Sequence, residues 1–331
     1  MSNRVSIAFS IKNDAVERLT GAVAVASRSF SRNPTLRQEL TARYPRARFN
    51  ETGGVLAGDE LVRFLRGHTK AITGLDVLSD AVFRAVPELR LVSKYGVGLD
   101  MIDLESARRH GVAVRWTPGV NRQAVAELAV AFMIALCRGI VPAALLVREG
   151  TWHQTGGRQL STATVGILGC GAVGQTVARL CVAFGSTVLA HDIRAYDDFY
   201  RGTGVQPVSL DVLLRESDIV TIHLPLDAST RGLVGEAEIS LMKPSAFLVN
   251  TARGGIVDEV ALKAALVKHQ LSGAAADVFA VEPPVDSELL RLPNFIGTAH
   301  IGASTGEAVL AMGRAAIGGL DESQESIDLT V

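Results

Sequence analysis

From Thr164 onward, short apolar runs alternate with segments of helical period. The runs are Thr164–Leu168, Thr187–His191, Ile219–Leu224, Ala246–Asn250, Gly273–Asp277 and Phe295–Ala299. Helix-like segments fit between most of them, a pattern that predicts parallel strands joined by crossovers. Six such strands predict one complete doubly wound sheet. The first third carries a looser version of the same pattern. Residues 4–10 read as an opening strand, followed by short runs at Ala71–Thr73, Leu89–Ser93 and Val112–Val114. Asp59–Arg66 and Asp103–His110 read as helices between them. Segment 28–34, polar and ending in Asn-Pro, reads as an exposed loop. Pro118 and Gly119 mark a break, and Asn121 is placed to cap a helix running to Arg138. Apolar residues on much of that helix (Val125, Leu128, Ala129, Phe132, Met133, Leu136) predict burial on more than one side, within the chain or in a subunit contact. Pro142 opens a further helix to Glu149, residues 151–160 read as a loop, and a last helix runs from Thr305 to Gly318 before a polar tail. The chain has no fixed-period repeat.

Composition narrows the function classes. Hydrophobic residues make up 48% and charged residues 20%, too apolar a balance for a disordered chain. Thirty-three basic and 34 acidic residues leave a net charge of −1, which gives no field to gather nucleic acid or an anionic membrane. Aromatics at 5% are poor material for base stacking. Three cysteines without C-x-x-C spacing argue against a disulfide framework or a zinc site and for a reducing cytoplasm. His68, His110, His153, His191, His223 and His269 show no metal-ligand spacing, so no metal is expected. The N-terminal apolar run is too short for a signal peptide, and no stretch reaches membrane-spanning length. A cytoplasmic protein is expected.

The strongest local motif is Gly169-Cys170-Gly171-Ala172-Val173-Gly174. It follows the apolar strand TVGIL and opens a helix, the context that gives G-x-G-x-x-G its meaning. The glycines serve a tight turn, close backbone approach to a pyrophosphate, and close helix–strand packing. The helix N-terminus then presents unpaired N–H groups and partial positive charge to the phosphates. The next strand ends at Asp192, placed to accept hydrogen bonds from the adenosine ribose hydroxyls and to repel a 2′-phosphate, which favours NAD over NADP. Arg194, two residues on, is the feature that would favour NADP.

Three later segments each follow a strand. NTARGGIVDE carries Arg253, AADVFAVEP carries Glu282, and TAHIGAST carries His300. Ligands of open α/β sheets bind at the carboxyl ends of strands, so these segments can converge. Together with LGCGAVG and the upstream KYGVGLDMID, they resemble the D-isomer-specific 2-hydroxyacid dehydrogenase family, in its phosphoglycerate dehydrogenase-like branch. The likeness is close over roughly residues 70–315 and looser before them.

The resemblance implies an α/β fold of two doubly wound parallel-sheet domains with a cleft between them. One is a Rossmann NAD-binding domain over 118–302. The other is a flavodoxin-like substrate domain over 1–117, with the C-terminal segment 303–331 returning to it. It implies NAD-dependent, reversible hydride transfer between a 2-hydroxy acid and its 2-keto acid. Arg253 would bind the substrate carboxylate with a planar, permanently charged fork. His300 would be the general acid for reduction and base for oxidation, and Glu282 its carboxylate partner. The cofactor wall is expected at Gly169, Gly171, Ala172, Val173, Gly174, Asp192, Ile193, His223, Pro225, Thr251, Ala252, Asp277, His300 and Gly302. Helix 121–138 and segment 141–150 resemble the family's dimerisation region, so a homodimer is expected, with no nucleic-acid or membrane partner. Because the chain stops at 331, feedback through an appended regulatory domain is not expected.

Loop residues Gly96, Val97 and Gly98 match the family's substrate-carboxylate loop, where glycines let successive N–H groups hold an anion. Lys94 and Tyr95 either reach a second polar group of the substrate or serve ordinary packing. Glu282 disfavours formate, because formate dehydrogenases of this kin carry Gln there, and Val97 disfavours phosphite, whose enzymes carry Lys. Arg28 and Ser29 in SRSFSRN point to a second anionic group on the substrate; the alternative is a solvated basic loop. That ranks 3-phosphoglycerate first, with glyoxylate, hydroxypyruvate or a phosphonate-bearing hydroxy acid following. A reading from another class is an NAD-sensing corepressor-like binding protein.

Overall fold

The computed structural model describes residues 22–154, 156–285 and 288–321. The chain divides into two compact units, one of residues up to Asn121 together with those from Gly306, the other Arg122–Thr305.

The first unit is built on five parallel strands: β1 (Val23–Val25), β2 (Arg48–Phe49), β3 (Lys70–Thr73), β4 (Leu91–Lys94) and β5 (Ala113–Arg115), in the order β2-β1-β3-β4-β5. This is the flavodoxin-like order. β1, β3 and β4 are buried along their whole length, so they show no in–out alternation, and the buried set includes the polar Lys70, Thr73, Ser93 and Lys94. The helix Gly306–Gly318 returns to this unit. Gly313 sits where any side chain would strike Leu36, and the Ala316 carbonyl accepts the Ser93 hydroxyl at 2.7 Å.

Segment 28–34 is not the exposed loop its polarity suggests. Residues Arg28–Arg32 form a short helix whose start is capped by Ser27 Oγ, which accepts the Phe30 N–H. Asn33 then caps the next helix, Pro34–Arg43, with Pro34 in its first turn. Phe30 and Ser31 face inward, and two polar neighbours on each side hide that single apolar anchor from a periodicity reading. β1 and β2 were also not expected. The strand expected over residues 4–10 lies outside the described residues.

The second unit carries seven parallel strands: β6 (Thr164–Leu168), β7 (Thr187–His191), β8 (Gln206–Pro207), β9 (Ile219–Ile222), β10 (Phe247–Asn250), β11 (Gly273–Ala276) and β12 (Phe295–Gly297). Their order is β12-β11-β10-β9-β6-β7-β8, the doubly wound order with one further strand at the edge. Six were expected. The seventh, β8, is a two-residue edge strand ending in Pro207, where a missing N–H faces no neighbour. The helix Arg122–Arg138 buries Ala124, Ala126, Ala129, Val130, Phe132, Met133 and Cys137, packing on β10, β11 and the helix Ala172–Phe184. The helix after it, Ile140–Arg148, buries none of its residues. Among the described residues no single helix is long and apolar enough to cross a membrane, and no cluster of three potential ligands could hold a metal.

Candidate active site

In the second unit the strand order reverses between β6 and β9, and the loops that matter leave the carboxyl ends of β6, β9, β10, β11 and β12. After β6, Gly169 takes φ +94° and a side chain there would meet the His223 carbonyl at 2.9 Å. A Cβ on Gly174 would lie 2.0 Å from the Gly169 oxygen, so only glycine lets the helix Ala172–Phe184 pack this close. Gly171 faces open space within 4 Å. Open backbone at the start of a helix, with first-turn N–H groups that lack intrahelical partners, is the cradle a pyrophosphate needs.

Asp192 follows β7. Its Oδ2 accepts the Cys170 N–H at 2.6 Å and its Oδ1 accepts the Arg194 N–H at 2.9 Å. The carboxylate is thus locked to the glycine turn, and the contact of Arg194 with it is made by backbone. The Arg194 residue is exposed, as are Pro225 and Ile193. His223 shares one hydrogen with Thr221 Oγ1 across 3.0 Å of Nε2, while its Nδ1 is buried without a partner. Burial pushes the imidazole down to about 3, so His223 stays neutral. Thr251 is buried with an unpartnered Oγ1, beside half-buried Ala252. Buried orphan donors and acceptors along these loops fit a polar cofactor.

The three candidate chemical groups gather in this unit. His300 Nδ1 and Glu282 Oε2 are 2.8 Å apart, each about a third exposed. Glu282 Oε1 also accepts the Phe279 N–H at 3.1 Å. Burial raises the Glu282 carboxyl, but the His300 bond, the Phe279 N–H and the charges of His300 and Arg253 outweigh it and hold the group below its usual range. Arg253 is half-buried, and its Nη1 donates to the Ala252 carbonyl at 2.8 Å. A carboxylate, an imidazole and a guanidinium in one electrostatic neighbourhood can bind an acid and move a proton.

His300 stands in the left-handed region at φ +52°, a conformation that side chains bearing Cβ seldom adopt. Asp277 holds it there. The Asp277 carbonyl accepts the His300 N–H at 2.9 Å. Its side chain, 1% exposed, accepts Thr298 Oγ1 at 2.5 Å and the Ile301 and Gly302 N–H groups at 2.7 Å each. An internal anchoring task therefore accompanies the cofactor contact expected of Asp277. Sequence reading missed Asn250, which ties the loops together. Its Nδ2 donates to the Arg253 carbonyl, its Oδ1 accepts the Ala252 N–H, and its own carbonyl accepts the Asp277 N–H. An Asn closing a strand just before Arg253 was the available signal.

The first unit holds the other expected residues. Gly96 has φ +113° and open space where a side chain would stand, and Val97 and Gly98 are half-buried. Lys94 is buried, and its Nζ donates to the Gly74 carbonyl. Nearby Asp76 is 1% exposed and accepts the Gly74 and Leu56 N–H groups; burial pushes its carboxyl up against those bonds and the Lys94 charge. Tyr95 packs edge-on against Phe30, its hydroxyl buried without a partner, and burial pushes it up to about 12. The structure thus gives Lys94 an internal bond and Tyr95 a packing contact. Arg28 and Ser29 are exposed on their helix.

Comparison with known proteins agrees with this geometry. A family model described as D-isomer specific 2-hydroxyacid dehydrogenase, NAD binding domain, matches residues 130–302. The chain is 40% identical over 237 residues to the hydroxypyruvate reductase of Thermotoga maritima, covering 70% of this chain and 76% of that one. It is 38% identical over 262 residues to the D-3-phosphoglycerate dehydrogenase of Archaeoglobus fulgidus, covering 78% of this chain but 50% of that protein, so it spans half the length of that relative. The D-lactate dehydrogenase of Aquifex aeolicus, solved with NAD and lactic acid, has a TM-score of 0.80 at 26% identity, covering 90% of this chain and 93% of its own. The chain belongs to the D-isomer specific 2-hydroxyacid dehydrogenase family and is an NAD-dependent oxidoreductase acting on the CH–OH group of a 2-hydroxy acid.

Proposed function

We propose that the physiological substrate is a short, unphosphorylated 2-keto acid of the hydroxypyruvate or glyoxylate class. The observation that carries this is Lys94. The cation nearest in sequence to the Gly96–Gly98 loop is turned to the Gly74 carbonyl beside Asp76 and is not presented to a phosphate. The phosphorylated alternative rests on Arg28 and Ser29, both exposed. The residues act as follows. Arg253 holds the substrate carboxylate through charge-assisted, paired hydrogen bonds. His300 donates its proton to the carbonyl oxygen as that oxygen gains negative charge, and Glu282 fixes the orientation of the imidazole through its Nδ1. NADH, when bound, would supply the hydride. Asp192, locked at the end of β7 by the Cys170 and Arg194 N–H groups, would disfavour a cofactor carrying a 2′-phosphate.

The test is an NADH-oxidation screen with glyoxylate, hydroxypyruvate, pyruvate and phosphohydroxypyruvate, each repeated with NADPH. Highest kcat/KM is expected for glyoxylate or hydroxypyruvate, with NADH preferred at least about tenfold, which corresponds to ~1.4 kcal/mol. Preference for phosphohydroxypyruvate would return the assignment to the Arg28 alternative. Equal use of NADPH would remove Asp192 from cofactor choice.

We further propose a cytoplasmic homodimer. Ile140, Val141, Leu145 and Val147 are between 38% and 53% exposed on a helix that buries nothing, an apolar face that a second copy would cover. The three cysteines are buried free thiols, which suits a reducing compartment. Sedimentation equilibrium is expected to give twice the chain mass, and Leu145→Glu to shift it to monomer. A monomeric parent protein would refute the assignment of this face.

A further inference from the structure

The turn that carries Glu282 is exposed, with Val281 72% exposed, yet Glu282 must meet His300 to within hydrogen-bonding distance. Two contacts, one from the preceding loop and one from the helix that follows it, pin that turn to the body of its unit. Gly254, next to Arg253, lies so close beneath it that a Cβ would fall 1.9 Å from the Phe279 oxygen. Glu259, in the first turn of the helix Glu259–Val267, accepts the Ala280 N–H on its Oε1 at 2.6 Å. This is a charge-assisted bond, roughly twice as strong as a neutral one. The neighbouring Phe279 N–H is the one that Glu282 Oε1 accepts, and the Phe279 ring is buried edge-on against Phe295. Helix start, turn, carboxylate and imidazole therefore form one series: Glu259, Ala280, Phe279, Glu282, His300. The capping of this helix is done by Asp258, whose Oδ1 accepts the Val260 and Ala261 N–H groups, so Glu259 is not needed for that task.

We propose that Glu259 is a positioning residue, which by holding Ala280 fixes the 279–282 turn and seats Glu282 on His300. The inference rests on the reading of Glu282 and His300 as the proton-transfer pair. The charged groups facing Glu282 are His300 and Arg253, and all the variants below retain both.

The experiment uses the full chain with Glu259→Ala, Glu259→Asp and Glu259→Gln. One readout needs no turnover: the side-chain carboxyl carbon of Glu282, assigned through Glu282→Gln, is titrated by NMR. Present contacts favour the ionised carboxylate, so loosening the turn moves that titration to higher pH. Ala removes the acceptor, and Asp keeps the charge at the helix start but shortens the reach. Both are expected to raise the titration point, lower kcat by roughly tenfold to a hundredfold, and leave KM for NADH unchanged. Gln keeps an acceptor oxygen and is expected to stay close to the parent. Parent-like titration in Ala and Asp overturns the proposal. So does a Gln variant as impaired as Ala, because charge at the helix start would then be the cause. If the Ala variant does not fold, the Asp variant decides. A parent protein that reduces no keto acid while the Glu282 titration still shifts would refute the functional reading and leave the positioning role standing.

Discussion

His300→Asn is expected to lower kcat for keto-acid reduction by roughly a hundred- to ten-thousandfold, the range attributed to a positioned general acid. NADH affinity should stay nearly intact, because the imidazole is one contact among many along the expected cofactor wall. Asn is the informative replacement because it tolerates the left-handed backbone that His300 occupies at φ +52°. Ala at that position would add backbone strain to the loss of the imidazole and blur the result. The bonds from Thr298, Ile301 and Gly302 to Asp277 do not involve the imidazole, so the loop keeps its path in the variant. Steady-state kinetics with the best keto acid, together with quenching of NADH fluorescence, separates chemistry from cofactor binding. A variant with the parent's kcat would take His300 out of the proton transfer.

Legibility in the sequence followed the range over which each signal acts. Six of the seven strands of the second unit were readable because each carries a short apolar run bounded by polar turns, and their observed ends fall within two residues of the apolar pattern; the exposed edge strand β8 carries no such run. The glycine turn was readable because Gly169 and Gly174 answer local steric demands that no other residue meets. Arg253, Glu282 and His300 were readable as residue types following strands. What escaped was set by contacts between distant segments. The helix Arg28–Arg32 depends on Phe30 reaching the core, one anchor in five residues. Lys94 stood between a substrate contact and an internal bond, and only the fold brings the Gly74 carbonyl beside it. The Asp192 side chain is locked by the Cys170 N–H only because β6 and β7 run parallel in register, with Leu168 opposite His191. Asn250 and Glu259 carry no chemistry of their own, and their importance lies in backbone groups of other loops. Candidate reactive residues are therefore easier to pick out of a chain than residues that hold other loops in place.

The same distinction governs Arg253→Lys, which keeps the charge and changes the geometry. Lys offers a compact, strongly hydrated ammonium, whereas a guanidinium meets a carboxylate with two parallel N–H bonds. If Arg253 were needed only as a positive charge near Glu282, the Lys variant would be nearly silent. If it grips the substrate carboxylate, one of the two bonds is lost and the keto carbon loses its fixed orientation. The Asn250 bond to the Arg253 carbonyl is made by backbone and survives the change, so the loop that presents the side chain stays in place. kcat/KM for the keto acid is accordingly expected to fall at least about a hundredfold, or ~2.7 kcal/mol of transition-state stabilisation. The fall should be shared between a higher KM and a lower kcat, because the carboxylate is held in both the ground state and the transition state while orientation matters most in the latter. NADH binding should not change. Parent-like kcat/KM in Glu282-intact Arg253→Lys would assign the substrate carboxylate to another cation.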